Sequence, residues 1–110
     1  MGNAQKIPNL TLKIKIMKIA LEIPDYSPDK GFVYNWEGDF DIEVKYENGD
    51  VILSANKEGL TSLAKHLLNL AQDQVPNGYH LHLDEYNSLE EGSVNFIIQK
   101  NDNDSLIEKS

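Results

Sequence analysis

The Asn48-Gly49 pair, flanked on both sides by alternating apolar and polar residues, is the feature that most constrains the fold of this chain. Asn-Gly favours a two-residue type I′ turn, because both residues tolerate a positive φ. Such a turn would place three apolar pairs on one face of a β-hairpin: Tyr46 with Val51, Val44 with Leu53, and Ile42 with Ala55. The pattern and the turn thus predict the same register.

A helix is predicted directly after this hairpin. Asn56 is a good N-cap, and Glu58 in the first turn suits the helix dipole. The predicted apolar stripe is Leu60, Leu63, Ala64, Leu67, Leu70 and Ala71, and Val75-Pro76-Asn77-Gly78 ends the helix. The polar residues Thr61, Ser62, Lys65, Asn69 and Asp73 are expected to face away, and His66 lies outside the stripe.

Alternating apolar residues predict further strands at four places. They are Leu10, Leu12, Ile14 and Ile16, continuing with a changed phase to Ile23; Phe32, Tyr34 and Trp36 inside the connection 24–38; Tyr79, Leu81 and Leu83; and Val94, Phe96 and Ile98. We therefore predict an α+β fold, with an antiparallel sheet of four to five strands and one amphipathic helix packed on one face. Residues 1–100 are expected to form a single domain and 101–110 a disordered tail.

The charge balance argues against a nucleic-acid or membrane partner. The 110 residues contain 18 acids and 10 basic residues, all of them lysine, which gives a net charge of −8. This charge repels phosphate backbones and anionic lipid, and the absence of arginine removes the usual guanine and phosphate ligand. The chain has no cysteine and no signal-peptide pattern, and Lys13, Lys15 and Lys18 interrupt its longest apolar stretch. We expect a cytoplasmic protein.

A possible metal site is the strand that carries His80, His82 and Asp84, since period-two spacing puts all three on one face. The simpler interpretation is a solvated strand face, because no further ligand completes the site by spacing. No cofactor is predicted. Catalysis is not expected either, because the sequence has no nucleophile or phosphate-loop motif. The carboxylate pairs Glu90-Glu91 and Asp39/Asp41 lie in a turn or on an open face, where nothing separates their pKa values.

The acids between Glu37 and Asp50 form either a solubilising face or a docking surface for a basic partner. The aromatic residues Phe32, Tyr34 and Trp36 form either part of the core, which we favour, or an interface anchor. The residues that we predict to bind a partner are Asp39, Asp41, Glu43, Trp36, His80, His82 and Asp84. The alternative function is a small metal-binding module or metal-dependent enzyme centred on His80, His82 and Asp84.

Two stretches resemble a family of bacterial proteins. They are Ser54-Ala55-Asn56-Lys57-Glu58-Gly59-Leu60, running on through Leu68, and Gly78-Tyr79-His80-Leu81-His82-Leu83-Asp84, followed by Gly92-Ser93 and Ile97-Ile98. Over about residues 50–100 the chain resembles immunity protein 32 of polymorphic toxin systems. The resemblance implies a protein without activity of its own that binds and neutralises a cognate toxin. Toxins of such systems are often nucleases with basic surfaces.

Overall fold

The computed structural model describes residues 14–102, and the predictions for residues 1–13 and 103–110 lie outside this range. The order of elements is β1 (Ile42–Glu47), β2 (Asp50–Ala55), α1 (Lys57–Leu70), β3 (His80–Leu83) and β4 (Phe96–Gln99). The α+β class is therefore confirmed. No helix in residues 14–102 combines the length and the apolar character needed to cross a membrane.

The β1–β2 hairpin has the predicted turn and register. Asn48 and Gly49 both have a positive φ, at 52° and 85°. Tyr46 lies opposite Val51, and the two further pairs follow in the predicted order down to Ile42 and Ala55. Ile42 and Val44 are fully buried and form one core cluster with Leu63, Leu83 and Leu89. Turn chemistry and apolar periodicity together determined this part of the fold.

The single sheet of four to five strands is not confirmed. In residues 14–102 the strands form two antiparallel two-stranded sheets, β1–β2 and β3–β4. Residues 90–94 lie along the other edge of β1, with Glu90 N donating to Ile42 O (2.8 Å) and Val94 N donating to Val44 O (2.9 Å). Because the five residues 90–94 lie against only the three residues 42–44 of β1, a regular ladder cannot form there.

The first two predicted strands are absent from the described part of the chain. Residues 14–23 form neither strand nor helix, and Ile14, Ile16, Met17 and Ile19 are exposed. Within residues 14–102, residues 32–36 form no strand, and the isolated bridge near them joins Ser27 and Gly31. The later predictions hold, since β3 and β4 form at the expected positions and pair with each other.

The helix begins where predicted, but the face that it buries differs from the prediction. Leu63 and Leu70 are buried as expected, whereas Leu60 and Leu67 are about half exposed. Three polar residues predicted to lie outside the stripe are buried instead, namely Ser62, His66 and Asn69. Each of these three side chains forms one hydrogen bond with a backbone group of the connection 24–37, which lies against this side of α1. The sequence pattern does not reveal these bonds.

Candidate partner-binding site

Asn56 holds the acidic start of β1 against the start of α1. Its Oδ1 accepts hydrogen bonds from Gly59 N (2.8 Å) and Asp41 N (3.0 Å), and its Nδ2 donates to Asp39 O (2.9 Å). The backbone N of Asn56 also donates to Asp41 O (3.1 Å). The N-cap side chain therefore fixes the backbone from which the carboxylates of Asp39 and Asp41 project.

Gly59 allows the helix and β1 to approach each other this closely. A Cβ atom on this residue would lie 2.6 Å from the backbone oxygen of Asp41 and 2.9 Å from Cγ1 of Ile42. Neither distance is compatible with normal van der Waals contact, and the first involves backbone, which cannot rotate away. The close packing positions Asp41, which lines a groove.

This groove has a volume of about 450 Å³ and carries four carboxylates, those of Asp41, Glu43, Glu90 and Glu91. We call it the carboxylate groove. Ser54, Ala55 and Asn56 also line it. The segment 90–94, which contributes Glu90 and Glu91, is attached to β1 by its two backbone bonds and by a hydrogen bond from Val44 N to Ser93 Oγ (3.1 Å).

The carboxylate groove has little internal charge compensation. Lys45 Nζ lies 3.5 Å from Glu43 Oε2, and both side chains are well exposed, so the pair is weak. In the described part of the chain no ion pair involves Asp41, Glu90 or Glu91. Such a concentration of like charge in a concave surface favours a cationic group from a partner.

Glu90 and Glu91 belong to this groove although we did not predict them as binding residues. The sequence showed them as a turn pair, and their placement depends on the long-range backbone bond from Glu90 N to Ile42 O. No periodic pattern marks such a bond. The only available signal was Ser93, whose hydroxyl can accept a hydrogen bond from a strand edge.

Trp36 is half-buried in a row of aromatic rings. Its ring stacks on Phe40 with centroids 4.6 Å apart, and it meets the His66 ring edge-on at 4.3 Å. Trp36 and Phe40 both pack against the core cluster that contains Ile42 and Val44. Trp36 therefore packs against the core with part of its ring accessible, and Phe32 packs against the second core cluster, whereas Tyr34, which the same interpretation placed in the core, is 44 % exposed.

His80 and His82 are exposed on β3, where they alternate with the buried Leu81 and Leu83. Asp84 follows the strand and closes a turn: its carboxylate accepts from Tyr86 N (2.9 Å), and its backbone oxygen accepts from Leu89 N (2.9 Å). In residues 14–102 no group of three or more His, Asp or Glu side chains converges in a way that could hold a metal ion. The predicted metal alternative has no support in this geometry.

Six of the seven predicted binding residues thus fall into two groups, and Trp36, which packs against the core cluster, belongs to neither. Asp41 and Glu43 share the carboxylate groove, with Asp39 joined to it through Asn56. The histidine strand, defined as His80, His82 and Asp84, contributes nothing to the lining of that groove.

His66 is a buried titratable residue that the sequence interpretation placed on the wrong side of the helix. It is 1 % exposed, its Nε2 accepts from Asn35 N (3.0 Å), and its Nδ1 has no hydrogen-bond partner among residues 14–102. Burial, assisted by the nearby charge of Lys65, lowers the pKa of His66 to about 4. The spacing of Ser62, His66 and Asn69 at i, i+4 and i+7 was the signal for this second buried face.

Comparison with known proteins gives one finding that concerns function. No curated protein and no solved structure matches the chain. The sequence model of one family does match, and the matched part comprises β2, α1, β3 and β4. Residues 50–101 match the immunity protein 32 family, which confirms over this segment the resemblance found in the sequence.

Proposed function

We propose that this protein is an immunity protein, which binds a cognate bacterial toxin of a polymorphic toxin system and neutralises it. The observation that carries the proposal is the match of residues 50–101 to the immunity protein 32 family. The matched segment includes Asn56 and Gly59, which hold α1 against β1, and Glu90 and Glu91, which complete the carboxylate groove.

The proposed contact surface is acidic and centres on Asp39, Asp41 and Glu43. The net charge of −8 attracts a basic partner over long range, and the carboxylate groove gives that attraction a specific place. A lysine or arginine of the toxin inserted between Asp41 and Glu90 would relieve the repulsion among the four carboxylates. A basic nuclease is the class of toxin that fits this surface.

The exposed part of Trp36 and the histidine strand are proposed as further contacts. His80 and His82 present imidazole rings on a solvated strand face, where both can donate and accept hydrogen bonds. Asp84 has one carboxylate oxygen bonded to Tyr86 N, which holds its side chain in a fixed orientation. These residues would extend the interface beyond the groove.

The proposed role is binding without catalysis, in the cytoplasm, and without a nucleic-acid or membrane partner. The acidic balance and the absence of arginine support the exclusion of nucleic acid and anionic lipid. The four groove carboxylates line an open concave surface, which suits the docking of a partner's side chains.

Co-expression with a candidate toxin tests this function directly. The candidate is the variable C-terminal domain of the protein encoded next to this gene, expressed from an inducible promoter in a bacterial host. Growth should be arrested by the toxin alone and restored by the full-length protein. Failure to restore growth with any toxic product of the neighbouring genes would contradict the immunity function.

A pair of charge-matched variants tests the surface. Asp41→Asn with Glu43→Gln removes two charges from the carboxylate groove and should weaken toxin binding by about tenfold or more. Asp29→Asn with Asp73→Asn removes two charges at exposed positions elsewhere and should leave binding within about twofold. Equal losses in the two variants would show that only net charge matters, and no loss in either would place the interface elsewhere.

A further inference from the structure

The β1–β2 sheet has one occupied edge and one free edge. On the occupied edge the backbone oxygens of Ile42 and Val44 accept from the segment 90–94, so these two residues direct their backbone groups away from β2. In an antiparallel ladder the residues opposite them direct their own backbone groups away from β1. Val44 lies opposite Leu53, and Val51 has the same phase as Leu53. No hydrogen bond in residues 14–102 involves the backbone N–H or C=O groups of Val51 or Leu53.

β2 lacks the features that protect a strand edge from further pairing. The strand Asp50–Ala55 contains neither proline nor lysine, and its six pairs with β1 follow in an unbroken register without a bulge. Side chains on both faces of β2 are accessible, since Val51 is 61 % and Ile52 is 42 % exposed. A regular strand edge of this kind can accept an extended segment of another chain.

The two faces of the hairpin beside this edge differ in chemistry. On the inner face Val51 lies opposite Tyr46, and their side chains are 61 % and 64 % exposed. The outer face carries three acids and one lysine, namely Glu43, Glu47, Asp50 and Lys45. Because side chains alternate between the faces of a strand, a segment that complements both faces alternates apolar residues with lysine or arginine.

Ser54 connects the free edge with the carboxylate groove. It lies opposite Glu43, and both residues line the groove. Neighbouring strands are about 4.8 Å apart, so a strand added to β2 would lie about 10 Å from β1. A lysine or arginine beside Ser54 can cross this distance, because the serine side chain is short and the Glu43 side chain extends towards the cation. Its charge would then enter the carboxylate groove at Glu43.

We propose that the toxin supplies an extended cationic segment, which adds to the free edge of β2 as a third strand of the β1–β2 sheet. This inference rests on the proposed immunity function and names the part of the toxin that is recognised. Backbone pairing with Val51 and Leu53 supplies affinity, and basic side chains directed at the carboxylate groove supply specificity. A second copy of this chain is the poorer occupant, because two molecules of net charge −8 repel each other and both would bring Glu47 and Asp50 to the shared edge.

Amide hydrogen exchange tests the backbone pairing, with the toxin domain that arrests growth in the co-expression assay as the probe. In the free protein the amides of Val51 and Leu53 should exchange fast. In the complex their exchange should slow by about tenfold or more. The amides of Lys45 and Ile52, which pair β1 with β2, should exchange slowly in both states and report that the hairpin is intact.

Two pairs of variants test the edge and the charge separately. Val51→Pro removes an outward N–H group and should weaken the toxin complex by about tenfold or more, whereas Val51→Ala keeps that group and should weaken it by about threefold at most. Ser54→Lys places a cation between the edge and Glu43 and should also weaken the complex by about tenfold. Gln74→Lys adds the same charge at an exposed position outside the hairpin and should leave binding within about twofold. Because Ser54→Lys keeps every backbone group, it remains a test if Val51→Pro unfolds the hairpin.

Three results would overturn the proposal and leave the immunity function intact. A complex that restores growth while Val51 and Leu53 still exchange fast would place the contact elsewhere. Slow exchange of these two amides in the free protein would show that the edge is already occupied, by a second copy if dilution restores fast exchange and by this chain if it does not. Equal weakening by Ser54→Lys and Gln74→Lys would show that no basic side chain crosses Ser54. Failure to restore growth with any neighbouring toxin would instead contradict the immunity function, and this proposal with it.

Discussion

Protonation of His66 should destabilise the fold as the pH falls below neutrality. The side chain is buried between α1 and the connection 24–37, and its Nε2 accepts from Asn35 N. A neutral imidazole that accepts at Nε2 carries its proton on Nδ1. Adding a second proton turns Nε2 into a donor that faces another donor, in a site lined by the rings of Phe32, Tyr34 and Trp36. The charged form of His66 is therefore disfavoured in the native state.

The size of the effect follows from the pKa of His66, which is lowered from 6.5 to about 4. Because the folded pKa lies below the unfolded value, the unfolded state binds more protons between these two pH values. Stability is fully present above pH 6.5 and is lost as the pH falls towards 4. The shift corresponds to about 3 kcal/mol in total, of which about 2 kcal/mol is lost between pH 7.5 and pH 5. That is a large share of the stability of a small domain.

Urea unfolding at pH 7.5 and pH 5.0 measures this loss. The fluorescence of Trp36, the only tryptophan, reports on the site directly, since its ring centroid lies 4.3 Å from that of His66. His66→Gln is the matched variant, because an amide oxygen can accept from Asn35 N and does not titrate. The difference in unfolding free energy between the native protein and His66→Gln should change by about 2 kcal/mol between the two pH values.

The carboxylates contribute equally to the pH dependence of both proteins, so their effect cancels in this difference. A difference in unfolding free energy between the native protein and His66→Gln that does not change with pH would therefore refute this reasoning. A direct NMR titration of the His66 ring supplies a test that does not depend on the variant. The ring should remain neutral in the folded protein down to a pH close to 4. Titration near 6.5 in the folded state would contradict the buried, hydrogen-bonded site.

Three further substitutions or additions have defined outcomes. Gly59→Ala should destabilise the fold by about 1–3 kcal/mol in urea unfolding, because the Cβ of the alanine would collide with Asp41 O. The control Gly38→Ala should leave the stability unchanged, because a Cβ at position 38 would meet no atom within 4 Å. Asn56→Ala should cost about 1–2 kcal/mol through the lost N-cap, and exposed Asn95→Ala should cost little. Excess zinc should leave the melting temperature of the native protein and of His80→Ala/His82→Ala unchanged. A melting temperature that rises with zinc in the native protein but not in the double variant would support the metal interpretation instead.

The parts of the fold that could be predicted from sequence are those governed by local chemistry. Asn48-Gly49 determined the hairpin register, and Asn56 marked the start of the helix. The parts that could not be predicted depend on side chains bonded to distant backbone. From the sequence, Ser62 and Asn69 are expected to face solvent. In the structure Ser62 accepts a hydrogen bond from Glu37 N, and Asn69 donates one to Val33 O.

The same reason explains which part of the candidate site was missed. Asp41 and Glu43 were recognisable as acids on a solvated strand face. Glu90 and Glu91 join them only because the segment 90–94 bonds to the free side of β1, a contact between residues about 48 positions apart in the chain. Sheet edges accept such irregular segments without a side-chain pattern. The carboxylate groove is therefore a tertiary feature.

The affinity for the cognate toxin, measured by calorimetry as a function of salt, tests the central claim most directly. If the carboxylate groove provides the contact, the dissociation constant should rise steeply with ionic strength in the native protein. In Asp41→Asn/Glu43→Gln the affinity should be lower and the salt dependence shallower, whereas Asp29→Asn/Asp73→Asn should behave like the native protein. A tight complex whose affinity does not depend on salt or on Asp41 and Glu43 would contradict the account.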